Sequence, residues 1–497
     1  MTPLIVIGGY LALLLLVGLM GHRVFRGTST DYFLASRSIG PFMLLMSLFG
    51  TTMTAFALVG STGKAYVLGI GVFGLMASWA AIVHPAMFHF VGTRVWELGS
   101  RLGHVTQVQL FRDRFESPLL GAILFPILVG LVIPYLLIGI LGAGVTVAAV
   151  TKGAVSPALT GGVVCLVVLT YVFFGGIRAA TFANTFQTLV FLAVGVLTFF
   201  TIADALGGAE AATARTAAFR PELLSRGDLI SQPHFLSYGL VGMSVGMFPH
   251  LFQHWLTARS RETFRLSIIW HPILVMLVWL PCVMMGVWAA GLHASGELTL
   301  PPHKANAVLG IMVAHFTGPW MSGVLTAGIL AAIMSSLDSQ FLALGTMFTE
   351  DIMNRGDREL PEERKIWMAR AFITALVVGT WLLSLITTRG IFDLGVWCFS
   401  GFSGLTPLVI AALYWKRATK VGAIACVLAT AISWTALFVA SHQPGAHEGG
   451  EFLVAGVMPV TWIFGSSALA LVLGSLMSQP PSEETIGRYF PEQGTVS

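Results

Sequence analysis

The stretch SLFGTTMTAFALVGSTGKAY, Ser47–Tyr66, is apolar enough to lie in a membrane but is not built like an ordinary membrane helix. Gly50, Thr51, Thr52 and Thr54 fall at its middle, with Gly60 and Gly63 following. Glycine and threonine can serve close helix packing in lipid. They can also mark unwound backbone, whose freed carbonyls and amides must then meet an ion, a ligand or other protein groups. A second stretch, YGLVGMSVGMFPHLFQHW, repeats the pattern with Gly239, Gly242, Gly246 and Pro249.

The rest of the chain puts both stretches in context. Its 497 residues are 56% hydrophobic and 10% charged, against about a quarter charged in soluble domains. Apolar runs long enough to cross a bilayer recur from end to end, without the ten-residue alternation of a membrane barrel. The fold class expected is an all-α polytopic membrane protein of about 13 transmembrane helices. The runs fall near 3–23, 40–64, 67–92, 117–150, 156–175, 182–206, 234–257, 266–292, 318–350, 366–387, 391–415, 421–441 and 452–476. The first, lacking a basic start and a small-residue cleavage site, reads as a retained helix.

On that division the interrupted stretches are spans 2 and 7, five apart. Matching interruptions in two halves point to an inverted-repeat transporter with its binding site at mid-membrane. The chain then reads as one transporter domain over 1–476, with span 1 peripheral, repeats near 40–206 and 234–415, and extra helices near 421–476. Residues 477–497 read as a polar, Pro-containing flexible tail.

With the amino terminus outside, twenty of the 27 Lys and Arg fall on one side, Arg26, Arg355 and Arg358 among them, and seven, including Lys304, on the other. The richer side is expected to be cytoplasmic, and with it the carboxyl terminus. Connections 207–233 and 293–317 are the longest on the outer side. Cys165, Cys282, Cys398 and Cys426 lie scattered in apolar runs without metal spacing and read as buried small hydrophobes. No nucleic-acid or nucleotide module is apparent, and no GxSxG or HExxH motif suggests an enzyme. A channel would call for a continuous polar pore, and a solute sensor for an output module.

Span 9 carries AAIMSSLDSQ, Ala331–Gln340. Ala332, Ser335 and Ser336 share one helix face, and Ser335, Asp338 and Ser339 a neighbouring one. Serine hydroxyls with carbonyl oxygens suit a hard cation. The competing reading is a serine bonded to the carbonyl one turn back. Asp338 is different, because an intramembrane carboxylate is costly and points to function. His84, His89, His250, His254 and His271 lie in or near spans, where packing competes with proton relay, and His250 and His254 flank Gln253.

These residues, with DYFLASRSIGP (Asp31–Pro41), FFGGIRAATFANTFQ (Phe173–Gln187) and PHLFQHWLTARS (Pro249–Ser260), resemble the sodium:solute symporter family. The similarity runs from Asp31 to the end of span 11 and implies a LeuT-like 5+5 inverted-repeat core. It also implies a sodium site made by the carbonyls of Gly50, Met53 and Ala332 and the hydroxyls of Ser335 and Ser336. Some members place a second sodium on an aspartate where this chain has Asn184, in Phe182-Ala183-Asn184. Asp338 and Ser339 stand at the matching positions of span 9, so Asp338, Ser339 and Asn184 form a possible second cation or proton site. The alternative is a structural aspartate bonded to Asn184 or Thr181.

The substrate of this fold lies beside the two breaks. Thr54, Ala57, Ser244 and Phe248 are the expected lining, with Tyr135, Trp397, Ser400 and Phe402 next. Ala57 stands where sugar-carrying relatives have a polar residue, which disfavours a sugar. The expected activity is symport of sodium with a small organic solute, a monocarboxylate or similar anion first, proline, another amino acid or pantothenate next. Proton coupling and a non-transporting sensor are the alternatives. Na+ is the co-transported ion, no organic cofactor is implied, and the expected setting is a bacterial inner membrane.

Overall fold

The computed structural model describes residues 2–23, 27–300, 305–354, 360–443 and 451–491. The charges at Arg26, Lys304, Arg355 and Arg358 and the tail residues 492–497 lie outside them. Among the described residues the regular structure is helical, with only two isolated bridges of β type. Ten helices are long and apolar enough to cross a membrane, and up to twelve when each of two bent pairs counts as one span. The expected thirteen requires one further division. Pro157–Ala205 runs for 49 residues, about 73 Å at 1.5 Å per residue, against a hydrocarbon core of about 30 Å. Gly176 breaks it, with φ 56° and ψ −150°. A side chain is excluded there twice, by that φ and by the Tyr32 carbonyl and ring.

The two glycine-rich stretches are the bent pairs. Pro41–Thr52 meets Phe56–Leu68 at 53°, and Gln232–Gly246 meets Pro249–Thr257 at 50°. At the first break, Met53 leaves the helix at φ −89° and ψ 80°. Thr54 Oγ1 then accepts from the Phe56 N–H at 3.0 Å, capping the second half. At the second, Pro249 occupies the first helical position, where its missing N–H costs nothing.

Pro319–Met347 is the central post: every residue from Leu325 to Met347 is buried. It packs on Pro157–Ala205, Pro118–Val150 and Pro41–Thr52.

On the arginine-rich face the first half of one broken span and the second half of the other are tied together. Ile39 N–H donates to the Thr257 carbonyl at 3.1 Å, and Arg259 N–H to the Ile39 carbonyl at 3.0 Å. Gln253 Nε2 donates to the Phe33 carbonyl and to Thr346 Oγ1, both at 2.8 Å. Arg178 and Asp31 form an ion pair at 2.5 Å.

The same face holds a departure from the sequence reading. Residues 483–489 of the supposed flexible tail form a helix, Glu483–Tyr489, started by the Ser482 cap. Tyr489 is fully buried. Arg94 donates to the Tyr489 carbonyl at 3.2 Å and Arg101 to the Arg488 carbonyl at 2.5 Å. The Arg114 guanidinium lies 5.8 Å from the Tyr489 ring and 5.1 Å from the Phe490 ring. These arginines satisfy the helix end that composition alone leaves without a partner.

On the opposite face, Glu451 pairs with Lys64 of the first broken span and, at 2.9 Å, with His234 of the second. Burial raises the Glu451 carboxyl, but Lys64 and His234 outweigh it and hold it at about 2.

Candidate functional site

The first break faces the central post. Ser335 Oγ lies 2.9 Å from the Gly50 carbonyl and 2.9 Å from the Ala332 carbonyl. One buried hydroxyl thus joins carbonyls of two helices, and all three oxygens are of the kind a hard cation takes. Gly50 cannot be larger, because a Cβ there would strike Thr188 Oγ1. Met53 closes the last turn with its N–H 3.1 Å from the Phe49 carbonyl. Ser336 is less committed: its hydroxyl donates one turn back to the Ile333 carbonyl at 2.9 Å. Three of the five expected sodium ligands (Gly50, Ala332 and Ser335) are thus joined where the post meets the break; Met53 stands in the break itself, and the Ser336 hydroxyl is engaged on its own helix.

The second group lies one turn further along the post. Asp338 is fully buried. Tyr171 donates to its Oδ2 at 2.9 Å, and Ser339 Oγ stands 2.9 Å from its Oδ1. Asn184, its amide turned to suit its neighbours, donates to Asp338 Oδ2 at 2.9 Å, and its oxygen meets Ser339 Oγ at 2.9 Å. His254 Nε2 is 3.0 Å from Ser339 Oγ. Asp338, Ser339 and Asn184 are thus brought together, whereas Thr181 bonds one turn back to Ile177. Tyr171 and His254 were not foreseen. They come from 167 residues before Asp338 and 85 before Ser339, distances at which no sequence pattern points.

A cavity of about 50 Å³ lies between the two breaks. Thr52 and Phe56 line it from the first broken span, and Val241, Gly242, Ser244 and Phe248 from the second. Flanking helices add Trp79, His84, Tyr135, Trp279 and Phe399. Among the described residues that line it, none is Asp, Glu, Lys or Arg. Seven aromatic rings, Tyr238 among them, form most of the wall, with Phe248 5.2 Å from Tyr135 and 5.4 Å from Phe399 between centroids.

Of the eight expected lining residues, Ser244, Phe248 and Tyr135 face this cavity. The other five do not line it. Thr54 is spent on its cap. The Ala57 carbonyl takes the Trp279 Nε1–H at 2.7 Å, so that residue holds a wall instead of forming it. Phe402 stands behind Phe248 at 5.1 Å. Ser400 bonds back to Val396 at 2.6 Å. Trp397 packs away from the cavity on Trp434 and Phe438. Of the lining residues that were missed, Thr52, Phe56, Tyr238, Val241 and Gly242 sit on the broken spans themselves, and Trp79, His84, Trp279 and Phe399 on unbroken helices, where apolar composition gives no sign of which face turns inward.

A sequence profile described as the Sodium:solute symporter family matches residues 32–429. The chain is 25% identical to the high-affinity proline transporter PutP of Bacillus subtilis, over 96% of this chain and 99% of that one. It is 24% identical to the sodium/proline symporter of Haemophilus influenzae, over 97% and 95%. Among solved structures it resembles a Na+-coupled sialic acid symporter in a substrate-bound outward-open state, with a TM-score of 0.80 at 18% identity over 97% of this chain and 99% of that one. It also resembles MhsT in complex with L-phenylalanine, with a TM-score of 0.56 at 12% identity over 88% and 98%. These two share its LeuT-type fold.

Proposed function

We propose that this chain, which belongs to the sodium:solute symporter family, moves one small carboxylate-bearing solute across the membrane with sodium by alternating access. The observation that carries the reading is the Ser335 hydroxyl, which holds the Gly50 and Ala332 carbonyls within 2.9 Å of one oxygen. Sodium takes the place of these hydrogen bonds: the Ser335 hydroxyl keeps its proton and turns a lone pair to the ion beside the two carbonyls, which fastens the first broken span to the post. Fastening stabilises the form in which the cavity accepts solute. Loss of sodium on the cytoplasmic, arginine-rich face frees the first half-helix, and the solute follows. An inward-negative potential contributes about 2.3 kcal/mol per charge per 100 mV.

The solute favoured is a small amino or imino acid zwitterion of the proline kind. A wall of aromatic faces suits an ammonium without a countercharge. Half-helix amino termini at Phe56 and Pro249 suit a carboxylate. The proline carriers named above support the same class. A plain monocarboxylate, which uses only the second feature, is the other reading.

Asp338 supplies a fixed negative charge for a second cation or for a proton, in the place of the aspartate that Asn184 lacks. Asp338→Asn keeps the size and hydrogen bonds but not the charge, and is expected to change how uptake depends on sodium or pH; an unchanged dependence on both removes this role.

Reconstitution into vesicles tests the whole reading. A sodium gradient is expected to drive accumulation of labelled L-proline or pyruvate, with pantothenate as a third probe. Uptake that follows a pH gradient with no response to sodium would replace sodium by proton coupling, and no uptake of any probe would overturn the proposal.

A further inference from the structure

His84 and His271 form a buried pair beside the cavity that the sodium chemistry does not use. His84 Nδ1 is 3.1 Å from His271 Nε2. The two rings come from different helices, Trp79–Met87 and Phe264–Ala294. His84 lines the cavity. Its second nitrogen, Nε2, has no hydrogen-bond partner among the described residues. His271 is fully buried, and its Nδ1 has no polar partner. Phe49 and Phe88 stand edge-to-face with the His271 ring, at 5.5 and 5.0 Å between centroids.

The bond between the rings links their tautomers. If His84 donated to His271, His84 would offer the cavity a bare acceptor, and His271 would bury an unpaired N–H among phenylalanines. If His271 donates, His84 carries its hydrogen on Nε2, and His271 buries only an unpaired acceptor. Orphaned N–H groups are rarer in proteins than under-satisfied acceptors, which favours the second arrangement. The cavity then offers donors: the His84 N–H and the hydroxyls of Tyr135 and Ser244, with no acceptor-only carboxylate among its described lining. Such a set matches an acceptor-rich group.

Resting on the reading of this cavity as the solute site, we propose that His84 reads the solute carboxylate through Nε2–H, and that His271 positions it by holding its other nitrogen as an acceptor. His84 is then a specificity-determining residue, separating a carboxylic acid from its amide or ester. His271 never touches the solute.

The test compares acid with amide. Binding to the reconstituted full chain in saturating sodium can be followed through the fluorescence of the cavity tryptophans, with L-proline against L-prolinamide and pyruvate against pyruvamide as probes. The wild type is expected to prefer the acid. His84→Phe is expected to lower acid affinity about tenfold or more and amide affinity far less, collapsing the ratio. His84→Gln retains an N–H donor and should restore part of it. His271→Phe should lower the ratio less than His84→Phe does. A His84→Phe protein that keeps the wild-type acid-to-amide ratio overturns the inference while leaving the proposed function intact. If His84→Phe is too unstable to bind either probe, His84→Gln and His271→Phe decide: an unchanged ratio in both overturns the inference, and a graded fall supports it. A wild type that binds neither acid overturns the functional reading, and this inference with it.

Discussion

The two breaks share a bend of about fifty degrees and little else. The first, between Thr52 and Phe56, is backed by hydroxyls and carbonyls: Ser335 reaches Gly50, and Thr188 donates to the Met46 carbonyl at 3.0 Å. The second, between Gly246 and Pro249, is backed by rings, with Phe248 wedged against Tyr135, Phe399 and Phe402. Its polar neighbours serve the backbone: the Gln107 amide donates to the Met247 carbonyl at 3.1 Å and Thr406 Oγ1 to the Met243 carbonyl at 3.0 Å. The same backbone device thus serves two chemistries. What distinguishes them is the partner helix, hydroxylic at the first break and aromatic at the second.

That division can be broken by substitution. The largest expected effect is from Ser335→Ala, which removes the oxygen joining two helices. It should raise the sodium needed for half-maximal uptake about tenfold or more, while solute affinity at saturating sodium changes little. Equal losses for both ligands would mean that the breaks are not specialised. Phe248→Ala should do the reverse, weakening solute binding roughly tenfold with the sodium requirement unchanged. Thr54→Ala should cost about 1 kcal/mol of stability through the lost cap, seen as a lower melting temperature with solute affinity retained. A large loss of solute affinity there would return Thr54 to the solute wall. The smallest effect belongs to Ser336→Ala, whose hydroxyl already has a carbonyl partner on its own helix. A severalfold rise in the sodium requirement fits a neighbouring ligand, and a rise equal to that of Ser335→Ala would make the two serines equivalent.

The features legible in the sequence were those that break a local rule. Glycines, threonines and one proline in otherwise apolar runs marked both bends, and an aspartate among serines marked the post. Such exceptions carry their own signal because lipid makes them costly. The cavity wall carried no such mark. Trp79, Trp279 and Phe399 are apolar residues in apolar helices, and only their packing turns them inward. The hydroxyl of Thr54 was legible as unusual but not as a cap, because the register of the second half-helix decides which use it finds. The tail misled for the opposite reason. Its composition is that of a solvated segment, and the partners that order it, Arg94, Arg101 and Arg114, lie almost four hundred residues earlier.

That tail helix has a further consequence. Tyr489 Oη lies 3.3 Å from the Leu110 carbonyl, in the same short helix, Gln107–Arg114, whose first residue holds the second break. The arginine-lined seat is therefore occupied by the chain itself, at an effective concentration of the order of millimolar for a short tether. An acidic peptide or lipid headgroup arriving at that face meets no vacant patch, but an intramolecular competitor. Such a ligand would have to displace Tyr489 from the helix that also carries Gln107.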